Sequence, residues 1–289
     1  MDVLIEVRGL TVEKAFIRLG SLLPERIARG VALGAVGMGK KVIIQLPLHP
    51  LFLAFFLILA STALVWLLFV PSALACAFQP LGLSPRVGYA VALIMVLLSM
   101  MLSFVNIAIA EVSRQVLVPE IDYVSFFGIY YPVPRIRLVT AKTVIAVNVG
   151  GAVVPLAISS LMILLMIVSS KALEALVVEA LTIAVVSLVS YASSRIIPGV
   201  GIVVPALIPP LVAALSVMVL SGLVSAVELA PALAYSGAVI GALIGADVVN
   251  LVKHFNKLQS PLISIGGAGT FDGIYLSGIA ALFLTMLFI

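Results

Sequence analysis

The segment Leu229–Val252 reads LAPALAYSGAVIGALIGADVVNLV, which is predominantly apolar and contains a single charged residue, Asp247. About 20 apolar residues suffice for a helix to cross a bilayer, so this segment predicts a membrane span. The last apolar segment, Leu262–Ile289, predicts another span and also contains one acid, Asp272. Because a carboxylate is costly in hydrocarbon, an acid inside a span is a candidate functional site.

The composition of the chain is typical of a polytopic membrane protein. Of its 289 residues, 63% are hydrophobic and only 10% are charged, and the mean hydropathy is +1.33; soluble domains contain about 25% charged residues. The single cysteine, Cys76, excludes an internal disulfide, and the two histidines, His49 and His254, make a poor metal site. We therefore predict no metal and no cofactor. The net charge of +4 comes from basic residues beside the spans, so we expect the lipid bilayer as a partner and no nucleic acid.

Seven apolar segments predict an all-α fold, a polytopic transmembrane helical bundle of about seven spans, some of them broken by glycine and proline. Residues 47–289 are expected to form this transmembrane helical domain. Residues 1–46 are expected to form an amphipathic segment in the cytoplasm or at the membrane interface. The predicted spans are Pro47–Val70, Gly88–Ala110, Thr143–Ser170, Ala175–Ser194, Pro198–Leu223, Leu229–Val252 and Leu262–Ile289.

Lysine and arginine residues predict the orientation of the bundle. If the seven spans alternate in direction, fourteen basic residues fall on one side of the membrane and two, Arg86 and Lys171, on the other. Because cytoplasmic loops carry the excess of basic residues, the N-terminus is predicted to be cytoplasmic and the C-terminus outside. The segment Val112–Ala141 is too polar to span, and its aromatic residues suit the headgroup layer.

The last two predicted spans form an antiparallel hairpin that brings Asp247 and Asp272 towards the same leaflet. Two like charges in low dielectric cannot both ionise, so one shared proton is expected at neutral pH. This arrangement suits general acid–base activation of water, and it also suits proton-coupled transport. In a purely structural alternative, Asp247 caps a helix end or pairs with Lys253, and Asp272 bonds to nearby backbone. Glycines that let the backbones approach closely flank both acids, namely Gly245, Gly266, Gly267, Gly269 and Gly273.

The segment Gly269–Gly278, GTFDGIYLSG, resembles the glycine–aspartate motif of intramembrane aspartyl proteases, the group of presenilin, signal peptide peptidase and prepilin peptidase. In those enzymes one aspartate lies on the helix that enters a cytoplasmic loop, and the other lies on the helix that leaves it. The resemblance implies that Asp247 and Asp272 form a catalytic dyad.

The chain also departs from the protease pattern. Phe271 stands where those proteases have glycine before the second aspartate, and Ala246 stands where they usually have tyrosine before the first. Their Pro-Ala-Leu motif follows the dyad, whereas here the tripeptide occurs upstream, at Pro205–Leu207 and Pro231–Leu233.

A longer stretch, from about Thr143 to the C-terminus, is similar to a domain-of-unknown-function family of archaeal and bacterial multi-pass membrane proteins. The similarity rests on Asn148–Pro155 (NVGGAVVP), on Pro198–Ile202 (PGVGI) and on the two aspartate segments. That family has no established activity, so the resemblance supports the site and leaves its chemistry open.

Helix-breaking residues interrupt two predicted spans at membrane depth: Asn148, Gly150 and Gly151 in the third, and Pro209 and Pro210 in the fifth. Discontinuous helices commonly form the substrate and ion sites of transporters. Glycine and proline also serve close helix packing alone, so this pattern is compatible with a binding site and with a packing role.

Two hexapeptides resemble each other, VNVGGA at Val147–Ala152 and ISIGGA at Ile263–Ala268. Their last three residues are identical, and two of the other three positions differ only by an exchange of valine for isoleucine. Both lie in predicted spans that run in the same direction, which is compatible with a parallel internal repeat.

Our leading hypothesis is an intramembrane aspartyl protease-like hydrolase that cleaves a transmembrane-helix peptide. One aspartate would be ionised to activate water, and the other would be protonated to polarise the peptide carbonyl. The alternative is a secondary transporter or a proton- or Na⁺-coupled carrier of a small solute, with the same acids as the ion site. A non-catalytic scaffold is a third possibility. A third acid within a span, Glu179, is expected near the outer interface; the alternative is a position in the bundle interior, facing Asn148 or the acid pair. The substrate and the oligomeric state are not predicted.

Overall fold

The computed structural model describes residues 3–7, 42–46, 66–127, 129–197, 201–254 and 262–289. Within these ranges the chain is mostly helical. Most of the predicted N-terminal segment, and residues 47–65 of the first predicted span, lie outside them. The helices of the described ranges are α1 (Trp66–Leu81), α2 (Pro85–Leu102), α3 (Val149–Ile167), α4 (Ala172–Ser193), α5 (Ile208–Leu223), α6 (Val227–His254) and α7 (Gly273–Phe288).

Four of these helices, α2, α3, α4 and α6, are apolar and long enough to cross a membrane. This is compatible with membrane insertion, while seven spans and the orientation of the termini stay predictions. Helices α5 and α7 have 16 residues each, or about 24 Å, because strands occupy the beginning of the segments predicted as spans. Helix α1 continues past Pro71, where the first predicted span was expected to end.

The structure also contains β-strands, which corrects the all-α expectation. The longest two, β3 and β4, form an antiparallel hairpin over most of the segment that was expected to be a headgroup-layer loop. The run Arg135–Leu138 (RIRL) alternates basic and apolar residues, which is the period of a strand and the sequence signal for this hairpin. The strands are β1 (Val3–Val7), β2 (Val42–Leu46), β3 (Val105–Phe126), β4 (Ile129–Asn148), β5 (Arg195–Ile197), β6 (Gly201–Val203) and β7 (Leu262–Ile265).

The strands form two sheets. The larger has the order β1-β2-β3-β4-β7, and β5 and β6 form a separate two-stranded sheet. The outer part of the β3–β4 hairpin projects beyond its neighbours, because β2 and β7 pair only with its base. Ion pairs connect its two strands diagonally, Arg135 with Asp122 at 3.1 Å and Arg137 with Glu120 at 3.4 Å.

The two similar hexapeptides lie side by side. Strands β4 and β7 pair in parallel, with Val147 opposite Ile265, so the repeated sequences are offset by two residues. Each strand leads through a glycine pair into a helix, α3 or α7. The glycines and prolines of the third and fifth predicted spans therefore mark helix starts rather than breaks within helices: Asn148 caps the first turn of α3, and Pro209 and Pro210 lie in the first turn of α5.

Helix α6 is the centre of the bundle. It packs against α3, α4, α5 and α7, and eleven of the thirteen residues from Ala230 to Ala242 are buried. A helix that is apolar on every side and contacted on every side belongs in the core of a bundle. Neighbouring helices therefore surround α6 and fix the position of the turn that carries Asp247.

Three glycines at four-residue spacing bring α6 against α4. A Cβ atom at Gly237 would lie 2.5 Å from a methyl carbon of Thr182, and one at Gly241 would lie 2.6 Å from Val186. At Gly245 it would lie 2.1 Å from the carbonyl oxygen of Ser187. Small residues at this spacing let helix backbones approach closely. We refer to Gly237, Gly241 and Gly245 as the glycine seam; only Gly245 was singled out from the sequence.

Replacement of a seam glycine should loosen the bundle. In Gly245→Ala the added methyl group meets backbone, which cannot move aside, so we expect a loss of about 1–3 kcal/mol and a thermal midpoint lower by several degrees. Thermal unfolding of the purified protein in detergent measures this. Gly222→Ala in α5 is the matched control, because nothing lies within 4 Å of its added methyl group. Equal stability of the two variants would show that α4 and α6 are not in contact at Gly245.

Candidate functional site

Asp247 lies on α6 within a π-helical turn, Leu243–Val248. Such turns leave backbone carbonyl groups without their ordinary partners, and they occur frequently at functional sites. The side-chain amide of Asn250 compensates here: it donates to the carbonyl of Ala246 at 2.8 Å and to the hydroxyl of Ser194 at 2.7 Å. The amide thereby stabilises the turn and joins it to the end of α4.

A turn rich in glycine connects β7 to α7. We call Gly266–Phe271 the glycine loop. Gly266 and Gly269 have φ angles of 71° and 65°, a left-handed conformation that glycine adopts without steric cost. The segment is thus not α-helical: it ends in a single 3₁₀ turn, Gly269–Phe271, and α7 begins only after it.

Asp272 follows the glycine loop and caps α7. One carboxylate oxygen accepts a hydrogen bond from the backbone N–H of Ile274 at 3.0 Å, and the other accepts one from Ala268 at 3.3 Å. A carboxylate at a helix N-terminus also interacts favourably with the helix dipole. Asp272 therefore holds the end of the glycine loop and, at the same time, caps the first turn of α7. This is the backbone bonding that the structural alternative expected for this residue.

The carboxylate of Asp247 reaches the same loop from the other side. It accepts a hydrogen bond from the backbone N–H of Gly266, and it interacts electrostatically with Asp272. Both acids are half-buried. The glycine loop thus holds two carboxylates from two helices, close enough to repel each other when both are charged.

A cavity of about 220 Å³ opens beside the two acids. It has room for several water molecules or one small group of a substrate. Its walls come from α6, from the start of α7 and from the segment that runs from β6 to the first turn of α5. The lining residues are Ile202, Val203, Val204, Pro205, Ala206, Pro209, Ala242, Ala246, Asp247, Asp272, Gly273 and Ile274.

The other predicted site residues take different positions. Gly273 and Pro209 line the cavity, and Pro210 is buried in the first turn of α5. Gly267 packs on Ser264, whose carbonyl oxygen would lie 3.0 Å from an added Cβ. Gly245 lies behind the cavity, against α4.

Asn148, Gly150 and Gly151 support the glycine loop from behind and do not line the cavity. A Cβ at Gly151 would lie 2.2 Å from the carbonyl oxygen of Gly266, and one at Gly150 would lie 2.2 Å from that of Ser99. Asn148 is fully buried, and its side-chain oxygen accepts a hydrogen bond from Gly151 at 2.8 Å. These residues therefore position the loop that holds the acids.

A buried polar network surrounds Asn148, and its other members were not predicted from the sequence. The amide nitrogen of Asn148 donates to the carbonyl of Ser103 at 2.7 Å and to the side chain of Asn106 at 3.2 Å. The hydroxyl of Ser264 donates to the same Asn106 oxygen. The Ser103 hydroxyl accepts from the backbone of Thr270, in the glycine loop, at 3.0 Å. The network connects α2, β3, β4 and β7 to the loop.

The structure also places three residues that the sequence analysis discussed: Lys253, Phe271 and Glu179. Lys253 places its ammonium group 4.5 Å from the centre of the Tyr191 ring, on α4. Phe271, the departure from the protease pattern, packs edge-on against the ring of Trp66. Glu179 was expected near the outer interface, but it is buried between helices, with 3% of its surface exposed. Within the described ranges, no group of three or more acids, histidines or cysteines could hold a metal ion.

Comparison with known sequences gives a family and no activity. The profile of a family described as "protein of unknown function (DUF1614)" matches residues 100–284. The match runs from the end of α2 through most of α7, so it includes both acids, the glycine loop and the glycine seam. No curated protein and no solved structure matches the chain.

Removal of the Asn148 side chain should destabilise the loop and the site together. Asn148→Ala leaves the Gly151 N–H and the Ser103 carbonyl without their partners in a buried place, so we expect a cost of about 2–4 kcal/mol. Ser160→Ala is the control, since that exposed hydroxyl bonds only within its own helix. Thermal unfolding in detergent compares the two variants. If Asn148→Ala unfolds at the temperature of the control, the network does not support the bundle.

Proposed function

The chain belongs to the DUF1614 family of unknown function, and we propose that it is an intramembrane aspartyl protease-like hydrolase with Asp247 and Asp272 as its dyad. One observation carries this proposal: two carboxylates from two helices face one cavity and interact with each other. Paired carboxylates in different environments are the usual means of supplying an acid and a base at one site.

The hydrogen bonds of the two acids differ, and this difference assigns their roles. Asp272 accepts two backbone N–H groups, which favour its charged form, whereas Asp247 accepts one. Because like charges repel each other, we assign the shared proton to Asp247. Asp272 is then the general base, and Asp247 is the general acid.

Peptide hydrolysis then proceeds in two balanced steps. Asp272 accepts a proton from water as the water oxygen bonds to the peptide carbonyl carbon, and Asp247 donates its proton to the carbonyl oxygen. In the second step the carbon–nitrogen bond breaks, Asp272 gives its proton to the leaving amine, and Asp247 regains one from a hydroxyl of the tetrahedral intermediate. Both acids return to their starting protonation states.

The residues of the cavity wall support the proposal that the substrate is a peptide. Pro205 and Ala206, from one of the two Pro-Ala-Leu tripeptides, lie in the wall although they precede the acids in the chain. Ile202 and Val203, also in the wall, belong to β6, which pairs with β5 on one side. The other side of a strand can bind an extended peptide through backbone hydrogen bonds. The substrate class we propose is a transmembrane-helix peptide, unwound at the predicted cytoplasmic side.

A second candidate function is a proton- or Na⁺-coupled carrier of a small solute. The burial of a third acid, Glu179, within the bundle favours it, because buried acids mark ion and proton pathways in membrane proteins. The carrier and the hydrolase use the same acid pair, so the two functions require measurements on the same preparation.

Replacing either acid by its amide should abolish cleavage. Asp247→Asn removes the proton donor and Asp272→Asn removes the base, so we expect each to lower the rate by roughly 10²–10⁴-fold. The assay follows a single-span reporter peptide, co-reconstituted in liposomes, by mass spectrometry. The amide oxygen of Asn can still accept one backbone hydrogen bond at each position, although at residue 272 the bond from Ala268 or the one from Ile274 is lost; thermal unfolding in detergent therefore checks that both variants stay folded.

Glu174→Gln is the control, because this acid lies in the first turn of α4, away from the cavity lining. It should cleave like the unmodified protein. A peptide with a hydroxyethylene group in place of the scissile bond should inhibit, since it resembles the tetrahedral intermediate. Folded protein that leaves a panel of reporters intact, yet takes up a solute under a pH or Na⁺ gradient, would replace the hydrolase with the carrier.

A further inference from the structure

Glu179 is a buried acid that the proposed hydrolase does not use. It lies on α4, with 3% of its surface exposed, and faces α6 at Gly237. An added Cβ at Gly237 would lie 3.9 Å from one of its carboxylate oxygens. Within the described ranges, neither of these oxygens has a hydrogen-bond partner of normal geometry. A buried carboxylate in this situation must be neutralised.

The polar groups around Glu179 do not neutralise it. The hydroxyl of Thr182, one turn further along α4, is buried and also lacks a partner among the described residues. The hydroxyl of Ser236, the neighbour of Gly237, lies beside Glu179 but donates to the carbonyl of Ala232 at 2.9 Å. These groups offer oxygen atoms to a small ligand, and none of them supplies a positive charge.

The helices that pack against α4 contain few titratable residues. Helix α4 packs mainly against α3, α5 and α6, and the sequences of α3 and α5 contain no titratable residue. On α6 the titratable residues are Glu228, Tyr235, Asp247, Lys253 and His254; on α4 itself they are Glu174 and Tyr191.

The lysines at the two ends of α4 have other partners. Lys171 pairs with Glu228 at 2.6 Å. Lys253 lies over the ring of Tyr191. None of these positive charges faces Glu179, so a bound proton accounts for the neutralisation of its carboxylate.

We propose that Glu179 is a proton-binding site inside the bundle, separate from the acid pair. Gly237 and Asp247 are ten residues apart on α6, or about 15 Å along the helix. This distance is far beyond the roughly 3 Å reach of a direct proton transfer. The two sites share the glycine seam, so a small opening between α4 and α6 would admit water to Glu179. The inference does not depend on the proposed hydrolase activity.

Dicyclohexylcarbodiimide tests this proposal, because it reacts with protonated carboxyl groups in apolar surroundings. Purified protein in detergent is treated over a range of pH, and its peptides are analysed by mass spectrometry. We expect an adduct on Glu179 that forms at least roughly tenfold faster than on Glu174, and labelling that falls as the carboxyl ionises at higher pH. The adduct should disappear in Glu179→Gln and persist in Glu174→Gln.

Two further measurements distinguish proton binding at Glu179 from labelling of the acid pair and from poor entry of the reagent. The Asp247→Asn/Asp272→Asn double variant should still be labelled at Glu179, whatever the outcome of the cleavage assay. Infrared spectroscopy of the unmodified protein should show a protonated carboxyl band that Glu179→Gln lacks. If the reagent cannot enter the bundle, this band takes the place of the labelling result. Protection by Na⁺ but not by choline would overturn the proposal in favour of a cation site. Absence of both the adduct and the band at acidic pH would overturn it outright.

Discussion

A peptide N–H group inside an apolar bundle has no water to bond, so each one must find a partner within the protein. This constraint is most severe where a helix begins inside the bundle, because its first N–H groups have no partner in the helix. Asn148 meets it at the start of α3, and Asp272 meets it at the start of α7. Asp247 adds a third acceptor, for Gly266. The arrangement of the site follows from this requirement.

In two units of the chain a strand leads through glycines into a helix, from β4 to α3 and from β7 to α7. A comparison of the two shows that the need for hydrogen-bond acceptors does not explain why the second one uses acids. In the first unit a neutral amide, Asn148, accepts the N–H group and bonds to Ser103 and Asn106 as well. In the second unit the acceptors are two carboxylates that repel each other. An amide at position 247 could accept the Gly266 N–H group without that repulsion. The use of a charged pair beside a cavity therefore points to a chemical role in addition to the structural one.

The two acids were singled out from the sequence because each is the one acid of an apolar segment, and a short loop between the two segments places their facing ends together; their role as a pair stays a prediction. The glycine loop was visible in Gly266–Gly269, although its unwound conformation was not. The hairpin β3–β4 was missed because hydropathy is weighed over about 20 residues to find a span, whereas the alternation in Arg135–Leu138 has a period of two. Glu179 was misplaced because composition gives the depth of a residue along a helix and not its rotation. Its contacts with Gly237 and Ser236 show that it faces α6.

Acids occur at two levels of α6: Glu179 of α4 lies opposite Gly237, and Asp247 belongs to α6 itself. The glycine seam makes both arrangements possible. Gly237 leaves space for Glu179, and Gly245 allows the π turn that presents Asp247 to lie directly on Ser187. A hydrolase needs only the second level, since its chemistry is complete at one cavity. A carrier that also used Glu179 would have to move a proton between two levels that lie about 15 Å apart along α6. Such a carrier would need movement of α4 against α6 at the glycine seam, whereas the hydrolase would not.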